Sequence, residues 1–217
     1  MMFTAIRIVC VVVLGYLIGN FNSALFISKL KKSDVRKVGS GNPGTMNMLR
    51  SYGKALGALT LVLDILKGVV PCLIGWFVCG EAWSFGADKL GVYIGGLSVI
   101  VGHIFPVFLK FKGGKGIASS IGVCLVIHPL ATILSFGVGV AFLFATQIGS
   151  VTSFIIISVP LALEAYAISK TGGHLAELIL LFALFSLTLF AHRKNVVALF
   201  KGTDKPVVLI KKKKKSA

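Results

Sequence analysis

Long apolar stretches with almost no charge constrain this chain more than any other feature. Residues 8–27, 55–78, 91–109 and 178–191 form four such runs, and the 53 residues from 117 to 169 hold one formal charge, Glu164. Hydrocarbon offers no partner to a backbone N–H or C=O, so runs of this length must be helices that satisfy their own backbone. About 20 residues cross a bilayer, and fewer suffice when a helix end is embedded in protein. The tract from 117 to 169 therefore has room for two or three crossings. Mean hydropathy is +0.92 and only 14% of residues are charged, against about a quarter in soluble domains. The fold class is an all-α integral membrane protein.

Basic residues set the orientation. The stretches 29–54, 110–115 and 193–215 carry seven, three and nine of the 23 Lys and Arg residues, whereas 79–90 carries Glu81 and Asp88 against Lys89. Short loops rich in Lys and Arg stay cytoplasmic. Placing all three basic stretches there requires an even number of crossings after residue 115. Helices at 117–127, 130–146 and 151–168, separated by Pro129 and a turn at 147–150, supply three, and 178–191 supplies the last. The expected architecture is seven transmembrane helices with the N-terminus outside and the C-terminus cytoplasmic. Arg7 precedes the first apolar run, but no small-x-small cleavage pattern ends it, so the run reads as a retained span. Residues 1–210 form a single polytopic domain. Residues 211–217 form a polybasic tail, which reads equally as a solvated run or as lysines that favour anionic headgroups by about 1 kcal/mol each near a surface.

The net charge of +16 would point to nucleic acid in a soluble protein. Here the cations lie in short loops between spans, which favours orientation and anionic ligands, and no nucleic-acid partner is expected. Cys10, Cys72, Cys79 and Cys124 lie scattered in or beside apolar runs, without metal-ligand or disulfide spacing.

Three of the expected cytoplasmic segments have the composition of anion sites. The first, GSGNPG at 39–44 followed by Asn47 and Arg50, combines glycine turns with converging Ser, Asn and Arg donors. Gly39, Gly41 and Gly44 also match a dinucleotide pattern, but no strand precedes them and Asp64 falls inside an apolar helix. The second is GHIFP at 102–106 and FKGGKG at 111–116, where Lys112, Gly113, Gly114, Lys115 and Gly116 lead into a helix start suited to phosphate. It is not a Walker loop, since Leu109 and Gly116 occupy required positions. The third is HRKN at 192–195. His192 and Asn195 share a helical face, although Arg193 and Lys194 alone would serve as ordinary stop-transfer charge.

Acidic residues are nearly absent from these loops, Asp34 excepted, so a metal site or carboxylate pair has little to build on. Neither a metal nor a cofactor is expected. Asp64 and Lys67, three apart within a span, read first as a structural ion pair and second as pocket lining. Glu164 has no evident partner, and His128 and His174 read as packing or outer-surface residues.

At these motifs the chain resembles the PlsY family, membrane enzymes that transfer an acyl group from acyl phosphate to glycerol 3-phosphate. The resemblance covers GSGNPG with Asn47 and Arg50, LDILKG at 63–68, GHIFP with FKGGKG, and HRKN with Gly202 beyond it, in the family's order. A weaker match runs through Ser150. It implies a seven-helix fold and a site at the cytoplasmic face of the bacterial cell membrane. It also implies acylation of the 1-hydroxyl, the first such step of phospholipid synthesis, with the donor supplied by an acyl-phosphate synthase, PlsX, in transient contact. By motif, Ser40, His192 and Asn195 fall at the reacting acceptor, and Arg50, Lys115 and Ser150 bind glycerol 3-phosphate. Asn42, Gly44, Asn47, Lys112, Gly113, Gly114 and Gly116 fall on the acyl phosphate. The chain departs from the family at Thr45-Met46, where Ala-Thr is usual, and at Ser119, Gln147, Ala198 and Asp204. An organic-phosphate transporter is the alternative, but no glycine motif recurs in the other half as paired transporter repeats require.

Overall fold

Ten α-helices and two short 3-10 turns make up the computed structural model, which describes residues 2–80, 89–203 and 207, with side chains from Ala5 onward. In chain order the helices are α1 (Met2–Asn20), α2 (Ser23–Leu30), α3 (Thr45–Tyr52), α4 (Lys54–Cys79) and α5 (Leu90–Ile104). They continue with α6 (Ile117–Ile127), α7 (Pro129–Thr146), α8 (Gly149–Thr171), α9 (Leu175–Ala191) and α10 (Arg193–Phe200). The 3-10 turns are Val35–Lys37 and Val107–Leu109. Glu81, Asp88, Asp204 and the tail lysines lie outside the described residues.

Five segments are long and apolar enough to cross a membrane: Ala5–Leu30, Lys54–Cys79, Leu90–Leu109, Pro129–Thr146 and Gly149–Thr171. The α9–α10 pair, bent by 62°, makes a sixth. Helix α6 has 11 residues. At 1.5 Å per residue it reaches roughly 16 Å, about half the hydrocarbon thickness. Large apolar side chains point outward along these helices, among them Leu130, Ile133, Leu134 and Val138 of α7 and Ile179 and Phe182 of α9. Water would penalise such a surface, whereas lipid accepts it.

Helix α4 is the spine of the bundle and packs on α1, α3, α5 and α6. Small residues permit the approach. A Cβ on Gly68 or Gly122 would run into the backbone of Ser119 or Ile65 across the α4–α6 seam, and one on Gly75 into Gly91 across α4–α5. Helix association in lipid relies on such close backbone packing.

The first span is not continuous, as the sequence led us to expect for 8–27. It breaks between Asn20 and Ser23, where the Asn22 side chain accepts from the Leu25 N–H at 2.8 Å and caps α2. The break exposes the Phe21 carbonyl, which accepts from Lys67 Nζ at 2.7 Å. Lys67 also pairs with Asp64 at 2.9 Å, so the expected ion pair is present and holds the break in place. Glu164 does have partners. Lys89 Nζ lies 3.1 Å away, and the Tyr93 hydroxyl donates to it at 2.6 Å. The Lys89 N–H donates to Glu177 at 2.7 Å, so one buried network ties α5, α8 and α9.

Candidate active site

The 39–44 loop takes its shape from two turns and one brace. Gly39 and Gly41 have φ values of +58° and +70°, the left-handed region in which a side chain is strained. Asn47, 1% exposed, holds the loop together. Its Nδ2 donates to the carbonyls of Val35 at 2.9 Å and Val38 at 3.0 Å, and its Oδ1 accepts from the Ser40 N–H at 2.9 Å. The polar atoms of Asn47 therefore serve the protein. Asn47 lines the cavity as expected of a site residue, and these bonds add a loop-bracing role that the sequence did not show. Asp34, the loop's acid, accepts from Arg36 at 2.7 Å, and that hydrogen bond lowers its carboxyl pKa to about 2.

A cavity of about 430 Å³ opens beside this loop. Ser40, Asn42, Gly44, Asn47, Arg50, Lys115, Gly116, Ser150, His192 and Asn195 all line it, so the three glycine-rich and basic segments and the Ser150 turn converge on one volume. Four helices begin there: α3 at Thr45, α6 at Ile117, α8 at Gly149 and α10 at Arg193. None of the four has a side-chain cap. Uncapped N-termini present unsatisfied N–H groups and the positive end of the helix dipole, a setting for anions.

Lys112, Gly113 and Gly114 are not brought to the cavity wall, contrary to expectation. Lys112 is exposed. The N–H groups of Gly113 and Gly114 already donate to the carbonyls of Ile104 at 3.2 Å and His103 at 3.1 Å. A Cβ on Gly114 would strike the His103 ring. These glycines permit the loop to fold onto α5, and only Lys115 and Gly116 reach the cavity.

Side-chain chemistry at the wall is mostly donor chemistry. Lys115 Nζ donates to Asn195 Oδ1. His192, 3% exposed at the bend between α9 and α10, places Nδ1 3.0 Å from the Thr188 carbonyl. A carbonyl only accepts, so we assign the proton to Nδ1, which leaves Nε2 as the basic nitrogen of a neutral ring. Among the described residues, the Thr45 hydroxyl and His103 Nδ1 are buried at the wall without a hydrogen-bond partner. Thr45 thus supplies a hydroxyl beside Met46, where the motif is shifted by one residue.

The sequence reading missed several lining residues. Phe136, Val140 and Leu143 of α7, with Ile121 and Ile156, give the cavity an apolar share of its wall. Nothing distinguishes these residues from their lipid-facing neighbours in sequence. Val207, 2% exposed, also lines the cavity and donates its N–H to the Gln147 carbonyl at 2.8 Å. Among the described residues no group of three or more His, Cys, Asp or Glu side chains could hold a metal.

The sequence model of the glycerol-3-phosphate acyltransferase family matches residues 9–202. The chain belongs to this family. Curated family relatives include the glycerol-3-phosphate acyltransferases of Thermoanaerobacter pseudethanolicus and Aquifex aeolicus. The first is 38% identical over 88% of this chain and 91% of its own, and the second 34% identical over 89% and 95%. The fold also matches the crystal structure of PlsY, an integral membrane glycerol 3-phosphate acyltransferase, in its glycerol 3-phosphate form. That match has a TM-score of 0.77 at 32% identity and covers 92% of this chain and 94% of that one. The lysophosphatidic acid form of PlsY matches with a TM-score of 0.76 at 31% identity.

Proposed function

We propose that the chain transfers an acyl group from acyl phosphate to the 1-hydroxyl of sn-glycerol 3-phosphate, yielding 1-acyl-glycerol 3-phosphate and phosphate. One observation carries this reading: four helix N-termini without side-chain caps, Arg50 and Lys115 converge on a cavity whose wall is otherwise apolar on the α7 side, where an arm for an acyl tail would lie. Cations and N–H groups suit two phosphates, and the apolar wall suits an acyl tail. The family relatives and the two PlsY structures agree with that assignment of acceptor and product.

Arg50, Lys115 and Ser150 hold the acceptor's phosphate. Asn42, Gly44, Thr45 and Gly116 receive the donor's phosphate at the starts of α3 and α6. Fixing both reactants places the acceptor hydroxyl at the acyl carbon and removes the entropic cost of bringing them together. The hydroxyl oxygen bonds to that carbon, and the bond between carbon and the phosphate oxygen breaks. Ser40 and Asn195 stabilise the oxyanion between those events. The hydroxyl proton passes to the departing phosphate, so no covalent enzyme intermediate is needed. His192 Nε2 is the rival acceptor for that proton.

We place the protein in the bacterial cytoplasmic membrane as a multi-pass enzyme of seven spans, with α6 counted as a short seventh and the N-terminus outside. The basic loops and the cavity then face the cytoplasm, where PlsX would deliver acyl phosphate through a transient contact. Purified protein in detergent, given palmitoyl phosphate and radiolabelled glycerol 3-phosphate, is expected to form labelled 1-acyl-glycerol 3-phosphate. Absence of product would end the proposal. Impermeant thiol labelling of single cysteines at positions 40 and 113 should report the same membrane face.

A further inference from the structure

Asp64 is the one carboxylate lining the cavity among the described residues. Its setting differs from that of a simple structural ion pair. The Ser23 hydroxyl donates to Oδ1 at 2.8 Å, and Lys67 Nζ lies 2.9 Å from the same oxygen. Among the described residues no hydrogen-bond donor sits on Oδ2. The residue is 2% exposed and fixed on α4, whose Gly68–Ser119 contact holds that level of the helix against the start of α6. Paired with Lys67, this carboxylate offers neither phosphate any attraction. Its remaining oxygen can be satisfied by only one kind of group on either reactant, one that donates a hydrogen bond.

That group is a hydroxyl. Glycerol 3-phosphate carries two, and the reacting one must turn toward the acyl carbonyl. We infer that Asp64 Oδ2 accepts a hydrogen bond from the non-reacting 2-hydroxyl of the acceptor, making Asp64 a specificity residue for a phosphorylated diol. This rests on the acyltransferase reading above. Ser23 and Lys67 hold Oδ1 and so orient Oδ2, and the bent first span positions both, since Ser23 opens α2 and Lys67 also binds the Phe21 carbonyl. A site that binds a hydroxyl rejects the analogue lacking it, because its own buried acceptor is then left unpaired.

The test compares two acceptors, glycerol 3-phosphate and 3-hydroxypropyl phosphate, which keeps the phosphate and the reacting hydroxyl but lacks the 2-hydroxyl. With palmitoyl phosphate as donor, the wild-type protein is expected to favour glycerol 3-phosphate by at least about tenfold in kcat/KM. The double variant Asp64→Ala/Lys67→Met removes the carboxylate without stranding a buried lysine. Its preference should fall to about twofold or less, because its loss of kcat/KM on glycerol 3-phosphate exceeds any loss on 3-hydroxypropyl phosphate by about fivefold or more. Ser23→Ala disturbs the same network yet leaves Oδ2, and should keep most of the preference. Equal losses on both acceptors in the double variant would show a packing role and overturn the inference. So would a wild-type protein that uses both acceptors equally well, a result that needs no variant to fold. Wild-type protein that acylates neither acceptor would sink the acyltransferase reading itself, a distinguishable failure.

Discussion

Asn47 and Lys115 illustrate two ways a polar residue can belong to one site. The Asn47 side chain commits both its donors and its shortest accepted bond to the backbone of its own loop. Asn47→Asp keeps the shape but loses two donors against the carbonyls of Val35 and Val38. It should lower stability by about 1–3 kcal/mol, read as a lower thermal midpoint in detergent, and activity should fall with it. Lys115, bonded to Asn195, presents its charge to the cavity. Lys115→Ala should leave the thermal midpoint nearly unchanged and reduce kcat/KM for glycerol 3-phosphate by about 10²-fold or more. The site's cations were legible in the sequence because Arg50 and Lys115 sit among glycines beside apolar runs. What Gly113 and Gly114 do was not legible. Glycine marks an anion cradle and a close backbone approach equally, and only the packing against His103 separates the two.

Elements carry the geometry that these residues depend on. The sequence located the apolar helices well, since apolar run length alone dictates them, and the short α6 was visible as 117–127 between a glycine and Pro129. It did not reveal the break at Asn20–Ser23, because Asn20, Phe21 and Asn22 interrupt the hydropathy only briefly. Nor did it reveal the 62° bend after Ala191, where neither a proline nor a glycine marks the chain. The α4–α6 seam matters most for the site, since α6 carries Lys115 and Gly116 at its start. Gly122→Ala would set a methyl against the backbone at Ile65 and Gly68. Overpacking of this kind costs about 1–3 kcal/mol and moves the helix. The variant should show a lower thermal midpoint together with a raised KM for glycerol 3-phosphate, although residue 122 lies outside the cavity lining.

Across the whole molecule, polar groups gather at opposite ends of the same helices. The starts of α6 and α8 and the end of α9 frame the cavity, while the start of α5, the end of α6, the later half of α8 and the start of α9 meet at Lys89, Glu164 and Glu177. The second cluster is buried and contains no part of the cavity wall. In sequence Glu164 looked alone because its partner lies 75 residues away, before a span that folds back beside it. Lipid cannot hydrate these charges, so each depends on the others far more than a surface pair would. Removing one member should therefore loosen the end of the bundle away from the site without altering substrate recognition. Lys89→Met is expected to cost about 3 kcal/mol or more, since it leaves a buried carboxylate uncompensated. Combining it with Glu164→Leu should recover much of that loss. A double-mutant cycle on thermal midpoints measures the coupling, and KM for both substrates in the surviving variants should stay within about twofold of wild type. A shift in KM matching the loss of stability would mean that the two polar ends are coupled through the bundle and that the separation argued from the geometry is wrong.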